Sequence, residues 1–183
     1  KLLVVRRRFP VGHRHGAHAE GDEDLPDEVA GAAVDRVGVD EGAARAEEGE
    51  EGPGYQFVDV GNLRLRYAQR GDAGPAVVLI HGFGGDCDNW LFNLDALAAG
   101  ARVFALDLPG HGQSSKAVAD GSIDALARAV LGFMDAVAID AAHLVGHSLG
   151  GAIALAVAAS APARVRALSL IAPAGLGPDI DGD

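Results

Sequence analysis

Cysteine is almost absent: Cys87 is the single one in 183 residues. No internal disulfide can form, and a reducing, cytoplasmic setting is expected. Alone in a Gly-Asp loop, Cys87 reads as a tolerated small residue rather than a nucleophile. A secretory leader is lacking as well, because Lys1-Leu2-Leu3-Val4-Val5-Arg6-Arg7-Arg8 puts charge after a very short apolar run, the reverse of a signal peptide. Arg6 to Arg8 is the only basic cluster. It has no aromatic platform beyond Phe9, which argues against a nucleic-acid partner. Long apolar runs are scarce too. Ala141 to Ala163 carries no Asp, Glu, Lys or Arg and approaches the length that crosses a bilayer. Two histidines, Ser148, several glycines and Pro162 interrupt it, so no membrane segment is expected. Lysine is confined to Lys1 and Lys116.

What is present is globular in balance, 49% apolar and 22% charged. The length suits one domain with a tail. The net charge of −11 is local: residues 20–51 hold thirteen acids against Arg36 and Arg45, and the remaining segments cancel. Residues 1–53 show no sustained period. Scattered valines (Val29, Val34, Val37, Val39) allow one weak helix, and Glu47 to Pro53 reads as a solvated linker. His13, His15 and His18, with no cysteine and no scaffold near them, read as a polar tail rather than a metal site. Residues 1–53 are therefore expected to be an acidic low-order tail or linker that does not pack on the core. Residues 54–183 are expected to be the folded part. Lys1 is not an initiator methionine, so a fragment or processed product is expected.

From Tyr55 the pattern sharpens. Gln56 to Val60 and Leu63 to Tyr67 alternate on either side of Gly61-Asn62, which predicts a hairpin. Ala76 to Ile80 and Val103 to Leu106 are continuously apolar, as strands buried on both faces should be. A helix capped by Asp88 and ended by Gly100 lies between them. Ser122 caps the next helix, with Leu126, Val130, Phe133 and Val137 on one face. Ala142 to Val145 is a strand, Leu149 to Ser160 a helix, and Val165 to Ala172 a last strand. Such alternation argues for a mostly parallel sheet covered on both faces. No internal repeat is visible.

Leu144-Val145-Gly146-His147-Ser148-Leu149-Gly150-Gly151 carries the chemistry. A buried strand, then Gly-x-Ser-x-Gly, then an immediate helix is the context of a nucleophile elbow. Gly146 and Gly150 fit a turn that brings neighbouring backbone too close for a side chain. Ser148 is the candidate nucleophile, and the backbone N–H of Leu149 at the helix start is a candidate oxyanion donor. The competing reading is a small-residue turn that merely packs a helix on a strand. His81-Gly82-Phe83-Gly84-Gly85 also follows a buried strand, so the N–H of Phe83, freed by Gly82 and Gly84, is a second candidate donor. Asp107 to Gly112 forms a tight loop after the next strand. Its Asp107 and His111 read as turn stabilisers, with a catalytic Asp107 as the other reading.

These three stretches in this order resemble the α/β-hydrolase superfamily from about Tyr55 onward. Residues 81–93 (HGFGGDCDNWLFN), 105–116 (ALDLPGHGQSSK), 142–151 (AHLVGHSLGG) and 171–177 (IAPAGLG) look like the acyltransferase component of bacterial acetoin dehydrogenase complexes. The resemblance implies acyl transfer through a serine acyl-enzyme, with a small acyl ester or thioester as substrate. Acetyl-dihydrolipoamide would be the donor, coenzyme A the co-substrate, and other dehydrogenase subunits the partners. No cofactor or metal is expected on the chain itself. The family's lipoyl-lysine, usually in Asp-Lys-Ala on a hairpin, has no counterpart here, so either a lipoyl group belongs to an upstream domain or residues 1–53 are not the family's sequence. Alternatives on the same fold are a carboxylesterase, a carbon–carbon hydrolase or a non-catalytic binding protein. A haloalkane dehalogenase is disfavoured, since it resembles this fold with Asp at the position of Ser148. The family's triad runs serine, acid, histidine, and all seven histidines here precede Ser148. The chain alone is therefore expected to be inactive. Its sheet is expected to stop after six strands, with the last strand an unpaired apolar edge.

Overall fold

Ala76 to Ile80 is buried at every position, and the sheet is built outward from it. In the computed structural model, which describes residues 2–3 and 54–175, seven strands form one sheet in the order β1-β7-β6-β4-β5-β3-β2. They are β1 (Leu2–Leu3), β2 (Tyr55–Val60), β3 (Leu63–Arg70), β4 (Ala76–Ile80), β5 (Arg102–Leu106), β6 (Ala142–His147) and β7 (Val165–Ile171). Strand β4 pairs in parallel with β5 and β6, and β6 in parallel with β7. The hairpin β2–β3 turns at Gly61, where φ is 60°, and joins β5 antiparallel. The expected mostly parallel sheet with helices on both faces is present.

Alternate residues of the buried strands supply two cores, because successive side chains leave a strand on opposite faces. Val78, Ile80, Phe104 and Leu106 point to one face and pack with Leu126, Val130 and Phe133 of α2 (Ile123–Ala136) and Ile153 and Val157 of α3 (Leu149–Ser160). Val77, Leu79, Val103 and Ala105 point to the other and meet Trp90 together with Leu94 and Leu97 of α1 (Leu91–Ala98). Ser122 caps α2 as expected, its hydroxyl accepting the N–H of Ala125 at 3.1 Å. The face named from the sequence, Leu126, Val130 and Phe133, is buried, with Val137 packed against it.

Three expectations need correction. Asp88 does not cap the first helix. Asp86, accepting from the N–H of Asp88 at 3.0 Å, caps a 3₁₀ turn (Cys87–Trp90) that precedes α1, and α1 itself starts from Trp90 with no side-chain cap. A 3₁₀ start is tighter than the α pitch the spacing implied, and it moves the cap two residues upstream. The strict alternation read over Leu63 to Tyr67 also fails, since Leu65, Arg66, Tyr67 and Ala68 are all buried. There β3 is covered on both faces. Finally, β7 carries a partner where the sequence left an open edge: Leu2 and Leu3 pair antiparallel with Ile171 and Leu170. Two apolar residues there satisfy backbone groups at the end of an edge strand. The weak helix, the acidic linker and the histidines of the first 53 residues lie outside the described residues.

The uncharged run from Ala141 to Ala163 resolves into β6, a sharp turn and the twelve-residue helix α3. Among the described residues no helix is long and apolar enough to cross a membrane.

Candidate active site

Ser148 stands between β6 and α3 with φ 50° and ψ −114°, a region that non-glycine residues rarely occupy. Such a backbone persists only when its surroundings over-determine it. Here they do. The Ser148 N–H donates to the Ile171 carbonyl at 3.0 Å, and the Ser148 carbonyl accepts from Gly151 at 3.0 Å and Ala174 at 2.9 Å.

The flanking glycines are steric requirements. A Cβ on Gly146 would lie 2.6 Å from the Gly150 carbonyl carbon, and one on Gly150 would lie 2.6 Å from the His81 carbonyl oxygen. Both obstacles are backbone and cannot swing away. Gly82 closes in from the neighbouring loop: its Cβ would sit 3.2 Å from Ser148 Cβ and 2.9 Å from His147 Nδ1. The two glycine-bearing stretches are therefore in contact, at Gly82 against Ser148 and at Gly150 against His81. Phe83 and Gly84 occupy the corners of a turn closed by the Gly85 N–H on the Gly82 carbonyl at 3.1 Å, with Gly84 at φ 74°. The Phe83 ring is 86% exposed and meets His111 edge-on, centroids 5.8 Å apart. Leu149 is the first residue of α3, directly after Ser148.

The buried imidazole of His81 is fully committed. Its Nδ1 donates to the Gly82 carbonyl at 2.7 Å, and its Nε2 accepts from the Leu108 N–H at 3.0 Å. Burial, opposed by the Gly82 hydrogen bond, lowers its pKa to about 4, so it is neutral at pH 7. Neither nitrogen is left to take a proton from Ser148. His111 Nδ1 lies 3.1 Å from the Pro109 carbonyl. His147 lines a shallow, open cleft with His81, Asn89 and Trp90.

Asp107, open to two readings in the sequence, is wholly occupied as a structural acceptor. Its Oδ2 takes Arg66 Nε and the Gln113 N–H, both at 2.7 Å, and its Oδ1 takes the Cys87 N–H at 2.8 Å. Burial works to raise its carboxyl, but the hydrogen bonds from Arg66, Cys87 and Gln113 outweigh burial and hold it below the usual range. Cys87 is buried, and that burial pushes its thiol well up, so it stays protonated. Lys116 lies in the loop after β5 and donates to the Gly112 carbonyl. It is not on the β2–β3 hairpin. Among the described residues no group of three or more His, Cys, Asp or Glu side chains is placed to hold a metal ion.

Sequence reasoning missed Arg66, which is 3% exposed and engages Asp107 through Nε at 2.7 Å and Nη2 at 3.3 Å. No local signal marked it, since Arg66 and Asp107 lie 41 positions apart and meet only in the folded chain.

A mostly parallel sheet with a strained serine between the central strand β6 and its helix defines a class, and the comparison with known families agrees. Residues 75–183 match the family described as alpha/beta hydrolase fold, and the chain belongs to that family. Over 154 residues, 83% of the chain, it is 48% identical to the dihydrolipoyllysine-residue acetyltransferase component of the acetoin cleaving system of Cupriavidus necator, covering 41% of that protein. It is also 43% identical, over 63% of its length, to a 2-hydroxy-6-oxononadienedioate/2-hydroxy-6-oxononatrienedioate hydrolase of Burkholderia vietnamiensis, covering 42% of it. Among solved structures, a bacterial membrane phospholipase A superposes with a TM-score of 0.65 and 41% identity, over 68% of this chain and 41% of that one. The chain thus spans about two fifths of the curated relatives it matches.

Proposed function

We propose that the protein to which this chain belongs transfers acyl groups through Ser148. The observation that carries the reading is the elbow itself: a strained serine backbone at φ 50°, held by three carbonyl and N–H partners between a buried strand and a helix N-terminus. Ser148 Oγ bonds to the acyl carbonyl carbon, a general base takes its proton, and the N–H groups of Phe83 and Leu149 receive the negative oxygen. Each such donor is worth about 3 kcal/mol in the transition state. The carbon–sulfur bond of a thioester then breaks, and the thiolate leaves with the proton. In the second half a thiol attacks the acyl-serine and frees Ser148.

The acetyltransferase relative favours acetyl-dihydrolipoamide as donor and coenzyme A as acceptor, within a complex of further subunits. The hydrolase relative favours a second reading on the same residues, in which water takes the acyl group or a carbon–carbon bond is cleaved. The general base is not His81, whose nitrogens are both engaged, and no histidine follows Ser148 in these 183 residues. We therefore expect the 183-residue chain alone to be inactive. By analogy with serine proteases, losing the base costs about 10⁶-fold in rate.

A serine-reactive phosphonate tests the assignment. It should label the full-length enzyme, and Ser148→Ala should abolish the label. Labelling that survives the substitution overturns the reading. Partition of the acyl-enzyme between coenzyme A and water separates transferase from hydrolase. Ser148-dependent ester turnover by the 183-residue chain would show that it holds its own base.

A further inference from the structure

The turn bearing Phe83 has two limbs, and both are tied to the start of the loop after β5. On the incoming limb, His81 Nε2 accepts the Leu108 N–H at 3.0 Å. On the outgoing limb, the Cys87 N–H donates to Asp107 Oδ1 at 2.8 Å. Asp107 and Leu108 are neighbours, so adjacent residues grip the turn on either side. What holds Asp107 is Arg66. Their backbones pair, with the Asp107 N–H on the Arg66 carbonyl at 2.8 Å, and the Ser114 hydroxyl bridges the Arg66 N–H and the Asp107 carbonyl at 2.9 and 2.8 Å.

The Arg66 guanidinium also reaches the outgoing limb directly. Nη2 lies 3.7 Å from Asp86 Oδ2 and 3.8 Å from Asp88 Oδ2, and the Tyr55 ring lies beneath it at 4.6 Å. One cation thus faces three carboxylates, Asp107 fully buried and the other two about a third exposed. Asp86 is the cap that sets the 3₁₀ turn leaving Gly85, so its position determines where the Phe83 turn ends.

We propose that Arg66 is a positioning residue for the Phe83 turn, acting through Asp107 and Asp86. The proposal rests on the reading of Ser148 as nucleophile and Phe83 as oxyanion donor. Oxyanion stabilisation depends on a donor fixed in place before reaction, and a shift of a fraction of an ångström weakens it. A neutral or shorter residue at 66 frees three like charges to spread the outgoing limb. Substrate contacts are left in place, so the loss falls on the transition state and not on ground-state binding.

The test uses the full-length enzyme, with active sites titrated by a phosphonate so that rates are counted per folded site. Ser148→Ala comes first, and if it retains turnover the underlying functional reading fails. With Ser148 established, Arg66→Met should lower kcat about tenfold to a hundredfold while KM stays within about twofold. Affinity for a trifluoromethyl ketone, whose adduct carries an oxyanion, should fall in parallel. Arg66→Lys, which keeps the charge but loses the fork, should recover part of kcat. If Arg66→Met does not fold, Arg66→Lys and the neutral pair Arg66→Met/Asp107→Asn carry the same measurement. A lower melting temperature with unchanged kcat per titrated site and unchanged ketone affinity would overturn the proposal.

Discussion

The elbow at Ser148 and the turn at Phe83 touch, yet they are held by opposite means. Excluded volume holds the elbow. Gly146 and Gly150 let backbone meet backbone, and the strained Ser148 is locked by hydrogen bonds to Ile171 and Ala174. Polar clamps hold the Phe83 turn, through a buried arginine in the middle of β3 and a buried aspartate and a neutral histidine that directly follow β5 and β4. The steric constraint marks a few adjacent residues, the glycines on either side of Ser148, even though the backbone that Gly150 avoids belongs to the distant Ile80 and His81. Clamps need partners 20 to 41 positions apart, as with Cys87 on Asp107 and Arg66 on Asp107. The first is legible in a sequence and the second is not.

Gly150→Ala should break the comparison most severely. Its new Cβ meets the carbonyl backbone of Ile80 and His81, which cannot move without tearing β4 from α3. A loss of roughly 3 kcal/mol or more is expected, read by urea unfolding of the chain. A loss under about 1 kcal/mol would show that the elbow has slack.

The pH dependence sharpens the other side. His81 has a folded pKa of about 4 against an ordinary 6.5, so the unfolded chain binds the proton first as pH falls. Stability is fully present above pH 6.5 and declines between 6.5 and 4, by up to about 3 kcal/mol. Asp107, held below its ordinary value, adds a further loss at lower pH still. His81→Asn should flatten the upper window and leave the lower one. Unfolding midpoints measured from pH 7 to 3 would show the two regimes, and an unchanged upper slope in that variant would assign it elsewhere.

The smallest effect belongs to a device remote from both regions. Ser122→Ala removes the acceptor of the Ala125 N–H at the start of α2 and should cost about 1 kcal/mol. Its unfolding midpoint should shift while the properties of Ser148 stay as they were. A changed rate of Ser148 labelling in the full-length enzyme would link α2 to the elbow.

Much of this was readable from the chain. The continuously apolar β4 and β5, the Gly61–Asn62 hairpin turn and the helix starting at Leu149 lie where their patterns put them. The Asp88 cap failed because capping preference alone does not distinguish Asp86 from Asp88, two acids that flank Cys87. Placing the first turn required knowing that the Cys87 N–H is drawn to Asp107. Arg66 was hidden because alternation assigned it to a solvent face that β3 does not possess.

The sequence by itself determined the order of strands and α-helices from β2 onward and marked the turn and the serine on it, since periodicity and the glycines that flank Ser148 are local features. Only the tertiary structure decided that Asp107 is engaged as an acceptor by Arg66, Cys87 and Gln113, that His81 is neutral and engaged, and that Arg66 is buried against Asp107. Each of those outcomes depends on how much water the fold removes and which distant N–H groups it delivers. Neither quantity exists until the sheet has closed over them.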